Sequence, residues 1–364
     1  MIASIREFVS RVLGRGEATI TVPSFDGALK PNQALGSAET LLECEAPEDI
    51  AVDGNSLLVA DGPRLLRFAG SSATTIRTFE RSISALAVLP AGGLAVALGG
   101  TEIRIYDDIS AENSTRVFSG ELHAVNALAA AADGTLIVTD GSSVRGVDDW
   151  AWDLMELGQT GRVFRLDPKT GAVTRLVGGL GYAFGAAACG DDVLVSESWR
   201  HRLISISPDG SSKIVLGRLP VYPSRIATAG DGGFWLTAFI ARTQLVEFVL
   251  REPAYRRRMI AEIDPEYWVV PRLRSGNTFK EPLQGAHIKT MGVMKPWAPP
   301  RSYGLVIRLG ADGLPRYSLH SRVDGLNHGI VSAVEFCGDL VMVAKGPRRI
   351  LRLPLKRLDA EASA

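Results

Sequence analysis

The residues best suited to chemistry stand near the starts of six similar apolar segments, one in each. Carboxylate, amide, guanidinium and imidazole groups at one site could transfer protons and stabilise a developing negative charge. His328 is a candidate general acid or base, because histidine titrates near neutral pH. His123 is a second such candidate. The six residues are Glu48, Ser84, Asn126, Phe184, Arg225 and His328.

These residues can act together only if the fold brings the six segments to a common centre. Each segment has an apolar strand, a turn rich in Asp and Gly, and a second apolar strand, which is typical of β-structure. A repeat of about 40 residues with about four short strands is typical of a β-propeller blade. We therefore predict an all-β, six-bladed β-propeller. The six units begin at Pro47, Ser84, Val125, Ala183, Pro223 and His328.

Closure of the ring needs strand partners from both ends of the chain. The stretch AETLLECEA, before the first unit, could supply the outer strand of the last blade and so remove a free sheet edge. We expect an N-terminal helix and lead-in over residues 1–34, because apolar residues recur there at helical spacing. The propeller is predicted over 35–355 and a C-terminal tail over 356–364.

Two insertions interrupt the repeats, at about 141–160 and 241–303. Inserts on a propeller extend the loops at one end, where they could cover a pocket. The aromatic residues of the first insertion, together with Phe184, could line a hydrophobic pocket for an aromatic substrate. Candidate substrate-binding residues are Glu48, Asn126, Phe184, Trp150, Trp152 and Glu197.

Composition excludes several classes of function. The chain carries 40 Lys and Arg against 40 Asp and Glu, so its net charge gives no reason to bind nucleic acid. No window approaches the roughly 20 apolar residues of a spanning helix, and the N-terminus lacks a secretory pattern. The three cysteines form no CxxC pair and are predicted to be small core residues. We expect a cytoplasmic protein whose partner is a small molecule.

The stretch from Asn126 to Gly210, with NALAAAADGTLIVTDGSS and SESWRHRLISISPDG, resembles strictosidine-synthase-like proteins. They belong to a wider group of six-bladed propellers with gluconolactonases and paraoxonases. LPVYPSRIATAGDGGFWL and YGLVIRLGADG are similar too, so the resemblance covers roughly residues 35–355. It implies the same fold and is less specific about the reaction.

The resemblance also implies a calcium or similar ion at the channel centre of related hydrolases. Glu48 matches the first-blade ligand and Asn126 matches an asparagine of the group. However, Phe184-Gly185 stands where the group has Asn-Gly, and Arg225 ends a Pro-Ser-Arg in place of Pro-Asp-Asn. We therefore expect no cofactor, with an Arg225–Glu48 ion pair or an Arg225–ligand contact instead. If Ca²⁺ is retained, Glu48 and Asn126 would be its ligands.

Three functions remain open. The first is hydrolysis of an ester or lactone without calcium, with His328 or His123 activating water and Arg225 or Asn126 stabilising the oxyanion. The second is a condensing or ring-forming lyase resembling strictosidine synthase, whose last-blade glutamate aligns at or next to His328. The third is a non-catalytic propeller that binds a ligand on one face. Fold alone does not decide among them.

Overall fold

The computed structural model describes residues 22–274, 289–290, 293–294, 302–322 and 325–362. Six antiparallel sheets of four strands each surround a common axis, which confirms the predicted six-bladed propeller. The predicted N-terminal helix over residues 2–13 lies outside the described residues. None of the helices in the described part of the chain is long and apolar enough to cross a bilayer.

The first three blades follow one another along the chain. The first strand, β1 (Glu39–Glu43), precedes them. Blade 1 consists of β2 (Pro47–Asp53), β3 (Ser56–Asp61), β4 (Arg64–Ala69) and β5 (Ser72–Thr78). Blade 2 consists of β6 (Ile83–Val88), β7 (Leu94–Leu98), β8 (Glu102–Tyr106) and β9 (Arg116–Phe118). Blade 3 consists of β10 (Val125–Ala130), β11 (Leu136–Asp140), β12 (Gly161–Leu166) and β13 (Val173–Leu180).

The last three blades complete the ring. Blade 4 consists of β14 (Ala183–Cys189), β15 (Asp192–Glu197), β16 (Arg202–Ile206) and β17 (Ser212–Leu216). Blade 5 consists of β18 (Val221–Thr228), β19 (Phe234–Ala241), β22 (Leu305–Leu309) and β23 (Pro315–His320), with the short pair β20 (Lys289–Thr290) and β21 (Val293–Met294) between β19 and β22 in the chain. Blade 6 consists of β24 (Ile330–Phe336), β25 (Asp339–Ala344), β26 (Arg349–Pro354) and β1.

Strand composition follows position in the blade. The second strands are apolar on both faces, as in β7 (LAVAL) and β19 (FWLTAFIA), and every residue of these two strands is buried. They need this composition because each lies between two neighbouring blades. Fourth strands are more exposed, as in β5 (SATTIRT), which has no buried residue. The core therefore lies between the blades.

The ends of the chain close the ring as predicted. Strand β1 pairs antiparallel with β26, with Glu39 opposite Arg352. The carboxylate of Glu39 also lies 2.9 Å from the Arg352 guanidinium. Without β1 the outer side of β26 would be an open sheet edge, which is prone to unwanted pairing.

Both insertions contain helices. Helix α1 (Trp150–Glu156) lies in the first, whereas α2 (Gln244–Arg251) and α3 (Pro253–Glu262) lie in the second. Helix α2 is capped by Thr243, whose hydroxyl accepts a hydrogen bond from the Val246 amide. The predicted C-terminal tail begins instead with helix α4 (Leu355–Ala362), directly after β26.

The cysteine prediction was wrong for two of the three residues. Cys189 and Cys337 are exposed, and Cys44 is half-buried. Cys189 ends the innermost strand of blade 4, and Cys337 follows the innermost strand of blade 6, so both lie beside a turn instead of between blades. The apolar runs beside them are buried, but the turns are not.

Candidate functional site

A β-bulge near the start of each innermost strand builds the centre of the propeller. At that point the register with the second strand shifts, so one or two residues leave the ladder. The same offset in all six blades places the bulged residues around one axis. They are Glu48, Ser84, Asn126, Phe184 with Gly185, Ser224 with Arg225, and Val331.

Gly185 packs closely against the bulge of blade 5. A Cβ atom there would lie 2.4 Å from the Ser224 carbonyl oxygen and 2.6 Å from the Arg225 Cα atom. We expect Gly185→Ala to lower the free energy of unfolding by about 1–3 kcal/mol, because backbone must move. Chemical denaturation measures this. Gly178→Ala is the control, since its nearest neighbour would be 3.9 Å away, and an equal loss there would contradict the explanation.

A cavity of about 240 Å³ lies above the bulges. Both insertions border it, the first through Val147, Asp148 and Trp150 and the second through Leu273. Five of the six blades contribute a bulged residue that lines it: Glu48, Ser84, Asn126, Phe184 and Val331.

One side of the cavity is an aromatic wall, formed by Trp150, Tyr182, Phe184, Trp199 and Phe239. Tyr182 and Trp199 are stacked with ring centroids 4.5 Å apart, and Phe184 stacks on Phe239 at 6.0 Å. The Trp199 indole donates a hydrogen bond of 2.7 Å to Asp153 of α1, which fixes the ring. Aromatic rings in such contacts offer flat, rigid surfaces to an apolar ligand.

The predicted aromatic residues divide between two positions. Trp150 and Phe184 line the cavity, as expected. Trp152, also on α1, is not among the lining residues. It packs against Trp268 of the second insertion, with ring centroids 4.5 Å apart. Trp152 therefore joins the two insertions to each other.

The Arg225 guanidinium lies at the centre of the ring, almost fully buried. Its Nη1 donates to the carbonyl oxygens of Glu48 (3.0 Å) and Val331 (3.3 Å). Its Nη2 donates to the Ser84 carbonyl oxygen at 2.7 Å and to Glu48 Oε1 at 3.2 Å. Arg225 thus connects blade 5 to the bulges of blades 1, 2 and 6. The predicted pair of Arg225 with Glu48 is present.

The Glu48 carboxylate sits between two cations. Oε1 faces Arg225, and Oε2 accepts a hydrogen bond from the Lys345 ammonium, which follows β25. Burial acts to raise the pKa of Glu48, but Lys345 and Arg225 together outweigh it and lower that pKa. Glu48 is therefore an anion at neutral pH, at the polar end of the cavity.

Asp49 is a second carboxylate beside Arg225, and the sequence analysis did not identify it. It is 4% exposed, and its Oδ2 lies 3.4 Å from Arg225 Nε. It also accepts hydrogen bonds from the Leu86 amide at 3.0 Å and the Ser332 hydroxyl at 2.8 Å. Burial raises the pKa of Asp49, while Arg225 and these donors oppose the rise. Asp49 thus holds the bulge of blade 1 against blades 2 and 6.

The central oxygens fit a calcium ion poorly. Asn126 donates its amide to the Ala183 carbonyl oxygen at 3.0 Å, and its Oδ1 accepts the Tyr182 hydroxyl at 3.5 Å. Glu48 is already bound to two cationic side chains. Within the described ranges no three His, Cys, Asp or Glu residues cluster as a metal site. Calcium needs six to eight oxygens. The Glu48 carboxylate and the carbonyl oxygens of Glu48, Ser84 and Val331 already accept hydrogen bonds from the Arg225 guanidinium.

His328 does not lie at the channel position that the sequence alignment gave it. Strand β24 begins at Ile330, so the bulge falls on Val331, three residues further on. His328 instead hydrogen-bonds Ser302 Oγ through Nδ1 at 2.7 Å and the Arg322 carbonyl oxygen through Nε2 at 2.8 Å. Neither His328 nor His123 is among the residues that line the cavity, and His123 Nδ1 contacts the Glu121 carbonyl oxygen.

Glu197 is also absent from the cavity lining and is completely buried. Its carboxylate accepts the Gly181 amide at 2.7 Å and pairs with Arg200 and Arg202. Asp61 and Asp140 end the second strands of blades 1 and 3. Their carboxylates likewise accept hydrogen bonds from backbone amides of the loop before each blade. Glu197 therefore positions the loop that carries Tyr182.

Comparisons with known proteins agree with this structure. A family model described as Strictosidine synthase matches residues 126–207, which include Asn126 and four residues of the aromatic wall. Adipocyte plasma membrane-associated protein from Salmo salar is 26% identical over 73% of this chain and 74% of its own. Protein STRICTOSIDINE SYNTHASE-LIKE 6 from Arabidopsis thaliana is 27% identical over 36% of each chain.

Solved structures share the fold at low sequence identity. A gluconolactonase from Xanthomonas campestris has a TM-score of 0.56 at 15% identity and covers 92% of this chain and 95% of that one. A calcium-binding protein, regucalcin, from Agrobacterium tumefaciens has a TM-score of 0.51 at 10% identity, over 87% and 93%. The resemblance to strictosidine-synthase-like proteins, and to gluconolactonases in fold, is thereby confirmed.

Proposed function

We propose that this strictosidine-synthase-like propeller is a small-molecule enzyme that hydrolyses an ester or lactone in its central cavity without calcium. The observation that carries the proposal is the Glu48 carboxylate, held between Lys345 and Arg225 in the cavity that the aromatic wall also lines. An apolar ring would pack on that wall, and the acyl group would reach the charged end. A solved gluconolactonase shares the fold, which is why lactones are among the candidate substrates. The cytoplasmic location stays a prediction.

The Glu48–Lys345 pair can complete a hydrolytic cycle with balanced protons. Water attacks the acyl carbon and gives its proton to the Glu48 carboxylate. The leaving oxygen takes a proton from the Lys345 ammonium as the carbon–oxygen bond breaks. The protonated Glu48 then returns a proton to the Lys345 amine through the hydrogen bond that joins them. The products are a carboxylic acid and an alcohol, and the pair is restored.

Arg225 has a different part in this proposal. Its guanidinium contacts are with carbonyl and carboxylate oxygens of the protein itself. Arg225 therefore supplies a fixed positive charge beneath Glu48 and holds the bulges in place, as a bound cation would.

We expect calcium to be irrelevant to this protein. Since Arg225 occupies the central oxygens, adding millimolar Ca²⁺ or a chelator should change the midpoint of thermal unfolding by less than about 1 °C. A ligand that does bind, at a hundred times its Kd, would raise the free energy of unfolding by about 2.7 kcal/mol. Scanning calorimetry at matched ionic strength, with Mg²⁺ as the control for ion effects, makes the comparison. A calcium-specific rise of several degrees would overturn the metal-free site.

The test of function is a substrate panel with aryl esters, aliphatic esters and lactones of different ring size. We expect turnover that persists in chelator and favours substrates with an aromatic ring. Absence of hydrolysis across the panel, with a ligand still bound, would instead indicate a non-catalytic binding propeller.

A condensing lyase is the second candidate. The residues that match the Strictosidine synthase model include four of the five residues of the aromatic wall, which supports this candidate. Pairs of aromatic amines and aldehydes, analysed by mass spectrometry for loss of water on coupling, distinguish it from a hydrolase.

A further inference from the structure

Ser84 carries a buried hydroxyl with no hydrogen-bond partner in the described part of the chain. The residue is 6% exposed, lines the cavity and forms the bulge of blade 2. A buried hydroxyl without a partner is destabilising, and native proteins rarely keep one without a reason. A ligand in the cavity would supply the missing partner.

The neighbouring polar side chains already have partners. Glu48 binds Arg225 and Lys345, and Asn126 binds the Ala183 carbonyl oxygen and the Tyr182 hydroxyl. The Arg225 Nη2 atom donates both to the Ser84 carbonyl oxygen and to Glu48, at 2.7 and 3.2 Å. Ser84 is therefore next to the proposed reacting carboxylate, and its hydroxyl has no acceptor within the described residues.

We propose that the Ser84 hydroxyl donates a hydrogen bond to the carbonyl oxygen of the substrate, which rests on the proposed hydrolase. The substrate class is an aryl ester or a lactone fused to an aromatic ring, with the ring on the aromatic wall and the carbonyl at Ser84. A neutral hydroxyl suits this oxygen, because it can bind the uncharged carbonyl and binds more strongly as negative charge develops there. No covalent step on Ser84 is involved.

The kinetic test uses dihydrocoumarin, a lactone fused to an aromatic ring. We expect Ser84→Ala to lower kcat by roughly 10²-fold with little change in KM, which is the effect of losing one oxyanion donor. Ser84→Thr, which keeps the hydroxyl, should retain most of the rate. Ser82→Ala at the exposed mouth should lose far less. Thermal unfolding of Ser84→Ala should occur at the same or a higher temperature, because a buried polar group is removed.

A binding test separates this inference from the hydrolase itself. Calorimetry compares dihydroquinolinone, the lactam that resists hydrolysis, with chroman, which lacks the carbonyl. Wild type should prefer the lactam about tenfold, and Ser84→Ala should lose the preference. If that pattern holds without any turnover, the hydrolase proposal fails and the Ser84 contact stands.

Turnover without a role for Ser84 would favour the hydrolase proposal over the Ser84 contact. If dihydrocoumarin is hydrolysed and Ser84→Ala changes neither kcat nor lactam preference, the Ser84 contact fails and the hydrolase stands. If wild type hydrolyses no lactone and binds neither probe, the Ser84 contact is overturned as well.

Discussion

Replacing Arg225 with methionine should lower the free energy of unfolding by about 3–5 kcal/mol, the range for breaking a buried ion pair from one side. The variant leaves Glu48 and Asp49 without their shared guanidinium and removes donors from three backbone carbonyl groups. Methionine has a similar length, so loss of packing contributes little. Urea denaturation of wild type and variant measures the difference.

Two comparisons show whether the buried charges cause the loss. Adding Asp49→Asn to Arg225→Met should recover part of the stability, since Asp49 is the carboxylate that loses its cation, whereas Glu48 keeps Lys345. Arg258→Met breaks an exposed ion pair with Glu262 and should cost less than about 1 kcal/mol. If Arg225→Met were as mild as Arg258→Met, Arg225 would not hold the blades together.

Replacing Glu48 with glutamine should reduce kcat/KM about 10²- to 10⁴-fold, the usual contribution of a positioned proton acceptor. Glutamine keeps the shape of the side chain but cannot take a proton from water. Steady-state kinetics with the best ester or lactone of the panel measures the loss. Glu45→Gln, an exposed carboxylate of the same blade, should retain wild-type rates.

The pH profile provides a second check on Glu48. Lys345 and Arg225 lower its pKa below the usual value of 4.5, and the reactive form is the anion. The acid limb of the rate profile should therefore lie at a lower pH than that of a carboxylate with an ordinary pKa. Lys345→Met and Glu48→Gln together should be little worse than either alone, because the pair acts as a unit. Additive losses would mean that the two residues act separately.

The sequence predicts the architecture well because propeller strands leave a local signal. The units that begin near Val125 and Ala183 have largely apolar strands separated by an Asp-Gly or Gly-Asp turn. The first strand of each unit becomes the innermost strand of a blade. The pairing of β1 with β26 was also predictable, since the stretch before the first unit has the pattern of a strand that needs a partner.

The site was predicted less completely because its geometry depends on single-residue offsets. Counting repeats gave Glu48 and Arg225 correctly, but in blade 6 it gave His328 instead of Val331. The sequence marks neither the start of the innermost strand nor the position of its bulge, and in blade 6 both lie further along the chain than His328. Lys345 had one usable signal, a cation directly after the apolar run LVMVA. Tyr182 and Phe239 reach the cavity from other strands and loops, where nothing local separates them from core residues.

The contact that completes blade 6 also sets the order in which the ring can assemble. Glu39 and Arg352, which meet there, are 313 positions apart. During synthesis the first strand leaves the ribosome long before its partner exists, while blades 1 to 5 can form from neighbouring hairpins. The nascent protein must therefore keep an unpaired strand available until β26 has been synthesised. The ring closes only after the last blade has been made.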